Sequence, residues 1–497
     1  MLFTEFRFVV FFAFVLAVVW SLPSNTSRKL FLLCCSYVFY SCFFVGDPVL
    51  FASKVFHKHW DELPPGFWFP LVLMVSTCID YFAGLRIEDA PTPLRRRAWL
   101  LASLCANLGT LFYFKYFNFF LGSAAHFLAW FGLPASVHTL KIILPYGVSF
   151  YTFQSLSYTI EVYRGHLRAE RKFLDLAFFI SFFPQLVAGP IVRASSFLPQ
   201  TKEAPKWSHV DVRGALVLFM IGFFKKTCVA ENVAPCVDRY FADPAGFNVL
   251  SAWIAVLLYA VQIYCDFSGY TDMAIATARL LGYELTLNFN FPYFARNVSD
   301  FWHRWHISLS TWLRDHLYIS LGGNRGSRLF TARNLMITML LGGLWHGASW
   351  VFVIWGGLHG LALVLYREWT GWRQVQKPEP LSKQWVFEPR PILGALATFY
   401  FVCVGWIFFR AQSLDGAGTA LEAFVGFKSR GSQTLEPKLL LLFAGLAVVH
   451  WLNYKRAFSD WWRRVPVLFF SAGYGAAAAI ILLFIPQKIA PFIYFQF

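Results

Sequence analysis

Apolar residues along this chain gather in long blocks separated by short polar breaks. Phe6 to Leu22, Phe67 to Ala83, Val249 to Tyr264, Ser349 to Tyr366, Gly394 to Phe409, Leu439 to Leu452 and Val467 to Ile485 are such blocks. A helix needs roughly 20 mostly apolar residues to cross about 30 Å of hydrocarbon. By that length rule the pattern predicts about eleven or twelve membrane helices. The expected fold is all-α and polytopic, with re-entrant or interfacial helices where the pattern is interrupted.

The interruptions concentrate in the middle. Between Leu144 and Gly360 the apolar pattern is broken by polar and small residues, as in LPYGVSFYTFQSLSYTIEVYRG (Leu144 to Gly165) and FFPQLVAGPIVR (Phe182 to Arg193). The same holds for YCDFSGYTDMAIATARLLG (Tyr264 to Gly282) and NFNFPYFARNVSDFWHRWHISLSTWLRDHLYISLGGNRG (Asn288 to Gly326). Polar groups at membrane depth are costly unless they face protein or a water-filled cavity. The middle, about 144–360, is therefore expected to hold the chemistry, and 1–122 and 392–497 to be scaffold. No hydrophilic domain, repeat or linker interrupts the chain, so residues 1–497 read as one membrane domain. The longest polar stretches, Arg367 to Pro391 and Ala411 to Lys438, read as loops with room for short interfacial helices.

Composition agrees. The chain is 57% hydrophobic and only 14% charged, against about 25% charged for a soluble domain. Its net charge of +16 would suggest nucleic acid on a soluble protein. In this setting basic loops on the cytoplasmic side account for it, and membrane lipid rather than nucleic acid is the expected partner. Basic clusters at Arg28-Lys29, Arg95-Arg96-Arg97 and Arg164 to Lys172 are separated by even numbers of spans, which places the N-terminus outside. The first apolar run lacks a small-residue cleavage site after it and reads as a retained helix. The nine cysteines show no metal spacing, and those in apolar runs behave as small hydrophobes.

Two segments carry candidate chemistry. Phe301 to Arg325 holds His303, Arg304, His306, Arg314, Asp315 and His316, too many polar groups for an ordinary span. Read as one helix it is amphipathic, with Trp302, Trp305, Leu309 and Trp312 at helical spacing, and it either lies in the interface or lines a cavity. In Leu340 to Gly360, His346 stands between Leu344-Trp345 and Gly347-Ala348. A lone histidine in an apolar stretch can simply be packed against a carbonyl, but an imidazole can also accept and donate a proton near neutral pH. The flanking glycines let a helix or a substrate come close. His359, if it continues the same helix, lies about 20 Å from His346 at 1.5 Å per residue and reads as structural. Carboxylates and cysteines are too sparse near His303, His306 and His346 for a zinc site. The run Leu321 to Gly326 lacks phosphate-loop spacing; its neighbours Arg314, Arg325 and Arg328 form either an anion-holding patch or a positive-inside turn.

FWHRWHISLSTWLRDHLYISLGGNR followed by GGLWHGASW resembles the membrane-bound O-acyltransferase (MBOAT) family, and within it the alginate O-acetyltransferase (AlgI-like) branch. The four interrupted runs and GWIFFRAQS (Gly405 to Ser413) are similar to that branch as well. The resemblance implies membrane helices ringing a central tunnel. It implies acetyl transfer from a cytoplasmic thioester such as acetyl-CoA, with no resident cofactor or metal. The acceptor would be a hydroxyl on an extracytoplasmic carrier protein or an exopolysaccharide such as alginate. Separate acetyl-handling proteins would work outside an inner membrane. The family's hallmark histidine falls on His346, as general base or covalent nucleophile. A second falls on His306, expected to polarise the thioester carbonyl or stabilise the developing oxyanion. Arg304, Arg314, Asp315, Trp305 and Trp345 are the attendant substrate-binding candidates. His303 and His316 stand where the branch leads one to expect other residue types. Two rivals remain at this point: a transporter of acyl donor or polymer without chemistry, and an acyltransferase acting on peptidoglycan or another acceptor.

Overall fold

A computed structural model describes residues 1–45, 66, 68–133, 139–187, 189–372, 389–455 and 461–486. Among these, the long helices are Phe6–Ser21, Asn25–Val45, Phe69–Glu88, Pro93–Leu111, Val148–Arg164, Val249–Leu280, Arg328–His346, Trp350–Trp372, Pro389–Arg410, Leu439–Tyr454 and Val467–Leu482. Pro93–Leu111 runs on through a π-turn at Phe112–Tyr116 to Trp130. Five of the described helices are long and apolar enough to cross a membrane, and three shorter ones are apolar. The protein is an all-helical polytopic membrane protein. Its helices outnumber its uniformly apolar spans because several carry polar faces. Val148–Arg164, for example, is buried along almost its whole length, with Gln154, Ser155, Ser157, Thr159 and Glu161 inside.

The chain divides into two compact units, with boundaries after Phe219, after Gly269 within the Val249–Leu280 helix, and after Thr286. The first comprises residues 1–219 and 270–286. Its helices Phe69–Glu88, Pro93–Leu111 and Val148–Arg164 meet at a buried carboxylate. Asp80 accepts hydrogen bonds from Ser103 Oγ at 2.6 Å and Asn107 Nδ2 at 2.8 Å, and Ser103 is 3.1 Å from Thr159 Oγ1. Gly165 ends the third helix in a left-handed conformation (φ 75°), where its amide caps the carbonyls of Glu161 and Val162. Elsewhere in this unit, the buried Asp175 pairs with Lys29 and, at 3.2 Å, with Lys202. The segments Leu144 to Gly165 and Phe182 to Arg193 belong to this unit.

The second unit comprises residues 220–269 and 287–497. A π-helical segment, Phe224–Ala230, turns Lys226 inward, where it pairs with Asp266 and, at 2.6 Å, with Glu231. All three side chains are buried. The helix expected to continue from His346 through His359 is instead two helices. Arg328–His346 ends at His346, the chain turns at Gly347 to Ser349, and Trp350–Trp372 returns antiparallel. The reason is visible in the glycines. A Cβ on Gly343 would meet Phe352 O at 2.2 Å, and one on Gly356 would meet Met339 O at 2.3 Å. Backbone lies on backbone. The 20 Å separation of the two histidines is therefore corrected: His346 and His359 both pack on Trp355, with ring centroids 5.0 and 4.9 Å from it.

Nor is Phe301 to Arg325 one amphipathic helix. Val298–Trp302 and Ile307–Trp312 are short helices separated by a break at residues 303–306, and a π-turn follows at Leu313–Tyr318. Trp305, Leu309 and Trp312 are buried within the unit rather than anchored at an interface. The stretch Ala411 to Lys438 contains a helix, Leu414–Val425. Arg367 to Pro391 is helical at both ends, and its centre lies outside the described residues.

The helix hairpin yields a paired expectation. Gly356→Ala forces backbone apart and costs about 1–3 kcal/mol. Gly357→Ala, whose Cβ would sit 3.5 Å from Leu340, meets only ordinary contact and is neutral or gains up to about 1 kcal/mol from helix propensity. Thermal unfolding of the detergent-solubilised variants reads the difference, and equal melting temperatures would refute the close-packing account.

Candidate active site

The break at residues 303–306 is built by local pairing. Asn290 N–H donates to Arg304 O at 2.9 Å, and Ile307 N–H donates to Asn288 O at 2.9 Å. Asn297 caps the helix Val298–Trp302 by accepting from Asp300 N–H at 2.8 Å. That helix presents Asp300 to Arg304 one turn on, Nε to Oδ1 at 2.7 Å, and Arg304 also donates to Asn290 O at 3.2 Å. Arg304 is buried, so its charge is spent on holding the break.

The product of this pairing is His306 with φ 44° and ψ 53°. A left-handed backbone at a residue with a Cβ costs about 1–3 kcal/mol and is kept only where the surroundings dictate it. His306 is fully buried. Its ring stands edge-to-face on Phe267 at 4.7 Å and lies 5.9 Å from Trp345. Its Nδ1 is 3.2 Å from Asn288 Oδ1. Burial lowers the pKa of this imidazole, which sits outside the membrane-spanning helices, and so favours the neutral ring.

His346 comes from another direction. It is the last residue of its helix, and Gly347 beyond it is extended (φ −161°, ψ 149°). A Cβ on Gly347 would lie 2.1 Å from the Phe352 ring, so no larger residue fits that exit. The His346 ring lies 5.0 Å from Trp345, 5.0 Å from Trp355 and 5.1 Å from Phe409. The two imidazoles are 6.4 Å apart, centroid to centroid. Two nearly buried histidines, 40 positions apart in sequence, thus share one aromatic enclosure.

The remaining candidates divide. Trp345 touches both histidines. Trp305 is buried against Trp406 at 4.9 Å, and Trp406 in turn packs on Phe409 at 5.4 Å. It supports the enclosure from behind. Arg314 is half exposed and pairs with its neighbour Asp315 at 2.6 Å. His316 packs on Trp312 at 5.0 Å, and His303 bonds to Ser299 O at 2.6 Å. The glycine-rich run is pinned by Asn334, whose amide donates to Gly323 O at 2.9 Å. Sequence reasoning missed Asn288, Phe267, Trp355 and Phe409 as site residues. Each lay inside a run recognised as interrupted or distinctive, but only the fold brings them together.

Comparison with known proteins identifies the family. The MBOAT, membrane-bound O-acyltransferase family matches residues 65–409, a span that contains both histidines. A "Probable alginate O-acetylase AlgI" of Azotobacter vinelandii is 41% identical over 80% of this chain and 73% of its own length. One of Pseudomonas aeruginosa is 39% identical over 86% and 75%. A "Peptidoglycan O-acetyltransferase" of Helicobacter pylori is 37% identical over 76% and 73%. The chain belongs to the membrane-bound O-acyltransferase family and is an O-acyltransferase, which sets aside a transporter without chemistry.

The buried ion pair separates a holding role for Arg304 from a substrate-binding one. Asp300→Ala leaves a buried guanidinium without its carboxylate and should cost about 3–5 kcal/mol. Asp300→Ala combined with Arg304→Met should recover a large part of that loss. Melting temperatures of the single and double variants test this, and an unchanged single variant would remove the holding role.

Proposed function

We propose that this O-acyltransferase moves an acetyl group from a cytoplasmic thioester, acetyl-CoA or another acetyl thioester, to a hydroxyl on the far side of a bacterial inner membrane. The acceptor is an exopolysaccharide of the alginate kind, or a carrier protein that passes the acetyl group on. The observation that carries the reading is the enclosed pair His346 and His306, 6.4 Å apart, in a chain similar to alginate O-acetylases over most of its length. Even spacing of spans between basic clusters supports an external N-terminus.

The chemistry is balanced within the site. His346 takes the proton of the acceptor hydroxyl as its oxygen attacks the acetyl carbonyl carbon. The tetrahedral adduct collapses, the carbon–sulfur bond breaks, and the sulfur leaves with the proton that His346 held. Base catalysis of this kind contributes about 10²- to 10⁴-fold. The aromatic walls exclude water, which would otherwise hydrolyse the thioester. Peptidoglycan is a second acceptor reading, favoured by the 37% identical relative of that name.

The test uses purified full-length protein in detergent with an acetyl thioester and either alginate or peptidoglycan fragments. Acetylated product on one polymer names the acceptor; product on neither, with no thioester consumed, ends the acetyl-transfer reading. His346→Ala should lower turnover at least about 10²-fold with the melting temperature kept. His306→Asn, chosen because asparagine tolerates the left-handed backbone, should do the same. Full activity in the first variant would remove the assigned base.

A further inference from the structure

The amide of Asn288 is fully buried, and its Oδ1 has three neighbours that bear on the chemistry of His306. Ser308 N–H lies 3.2 Å away, Ser308 Oγ 2.9 Å and His306 Nδ1 3.2 Å. A backbone N–H can only donate, so the Asn288 atom that faces Ser308 N must be the oxygen rather than the nitrogen. The orientation of the amide is therefore set by a group with no choice of role. An amide oxygen can only accept. The imidazole nitrogen 3.2 Å from it must then carry a proton, since two lone pairs at that distance would repel. The backbone enforces the same register: Asn288 O accepts from Ile307 N–H at 2.9 Å, so both ends of Asn288 grip the residues that follow His306.

We propose that Asn288 is a positioning residue that holds His306 with its proton on Nδ1, which leaves Nε2 as the accepting nitrogen of the ring. This rests on the reading that acyl transfer occurs at the two-histidine enclosure. It also revises the expected role of His306. A neutral ring protonated on Nδ1 cannot donate from Nε2 to a carbonyl oxygen, so it does not stabilise the developing oxyanion. His306 Nε2 instead accepts a hydrogen bond from a second hydroxyl of the acceptor sugar, next to the one whose single proton goes to His346, and so orients the acceptor. Proton and electron count in the transfer step are unchanged, because His306 returns to the same tautomer without net proton gain. The oxyanion is left to other donors.

The experiment is nitrogen NMR of the full-length protein in detergent, labelled with 15N at histidine side chains. Protonated and bare ring nitrogens resonate in separate ranges, and the His306 signals are assigned by their loss in His306→Gln. The wild type should show a protonated Nδ1 and a bare Nε2. Asn288→Ala should mix or invert the tautomers and lower kcat at least about tenfold with KM changed less. Asn288→Asp, which keeps an accepting oxygen, should retain the wild-type tautomer and recover part of the rate. A bare Nδ1 on His306 in the wild type overturns the proposal even if neither Asn288 variant folds. So does Asn288→Ala with tautomer and kcat both unchanged. Absence of acetyl transfer by the wild type would count against the acyl-transfer reading, whereas the nitrogen shifts judge the tautomer on their own.

Discussion

A chain that lives in hydrocarbon has no water with which to satisfy a misplaced polar group, and each such group costs several kcal/mol. Much of the described structure is an answer to that constraint. Asp80 sits among Ser103, Asn107 and Thr159. Lys226 sits between Asp266 and Glu231. Arg304 is held by Asp300 and a backbone carbonyl. None of these is a net gain in the way that packed leucines would be. They restrict where neighbouring elements can go, since breaking one leaves a buried charge or dipole alone. The position of Phe267, immediately after Asp266, illustrates the benefit. The ion pair ties its helix to Lys226, and Phe267 then offers a fixed face to His306.

The same constraint explains why the site is assembled from a break and a helix end rather than from a smooth helix. A continuous helix satisfies its own backbone but can aim residues only along its own surface. At residues 303–306 the backbone leaves the helix, and its polar groups are taken up by Asn290, Ser299 and Phe301, with Asn288 holding Ile307 just beyond. At His346 the helix stops, and glycines at 343 and 356 bring the returning helix to backbone contact. Two imidazoles from different directions can then share one enclosure. Backbone strain at His306 is the cost of that arrangement, and the backbone of Asn288 and Asn290, hydrogen-bonded to Ile307 and Arg304, bears it.

Much of this was legible in the sequence. The apolar blocks located the helices, because hydrocarbon length is an unforgiving ruler. The interrupted runs and the two histidines were evident too, since ionisable residues in a strongly apolar chain stand out. The breaks were not. Trp302, Trp305, Leu309 and Trp312 have helical spacing whether or not a left-handed residue separates them, and periodicity is blind to a single φ. His359 was placed far from His346 because WHGAS contains no proline, and the turn depends on how closely the two flanking helices pack through Gly343 and Gly356. Asn288 was invisible because a lone asparagine between a leucine and a phenylalanine has no pattern; its meaning lies in the 3.2 Å to a nitrogen 18 residues later.

The enclosure also constrains the order of proton movements in the proposed reaction. Phe267, Trp345, Trp355 and Phe409 surround the histidines with apolar surface, and an imidazolium formed there is poorly solvated. A proton taken from a hydroxyl cannot rest long on such a ring. It must pass on as soon as a stronger acceptor develops, and the departing sulfur is the group that gains charge as the adduct collapses. Apolar walls thus couple hydroxyl attack to thiol release, whereas a wetter site would let a protonated histidine persist and let water compete for the thioester. Aromatic rings suit this task better than aliphatic ones. Their edge-to-face packing fixes the imidazole planes while offering no titratable group that could divert the proton.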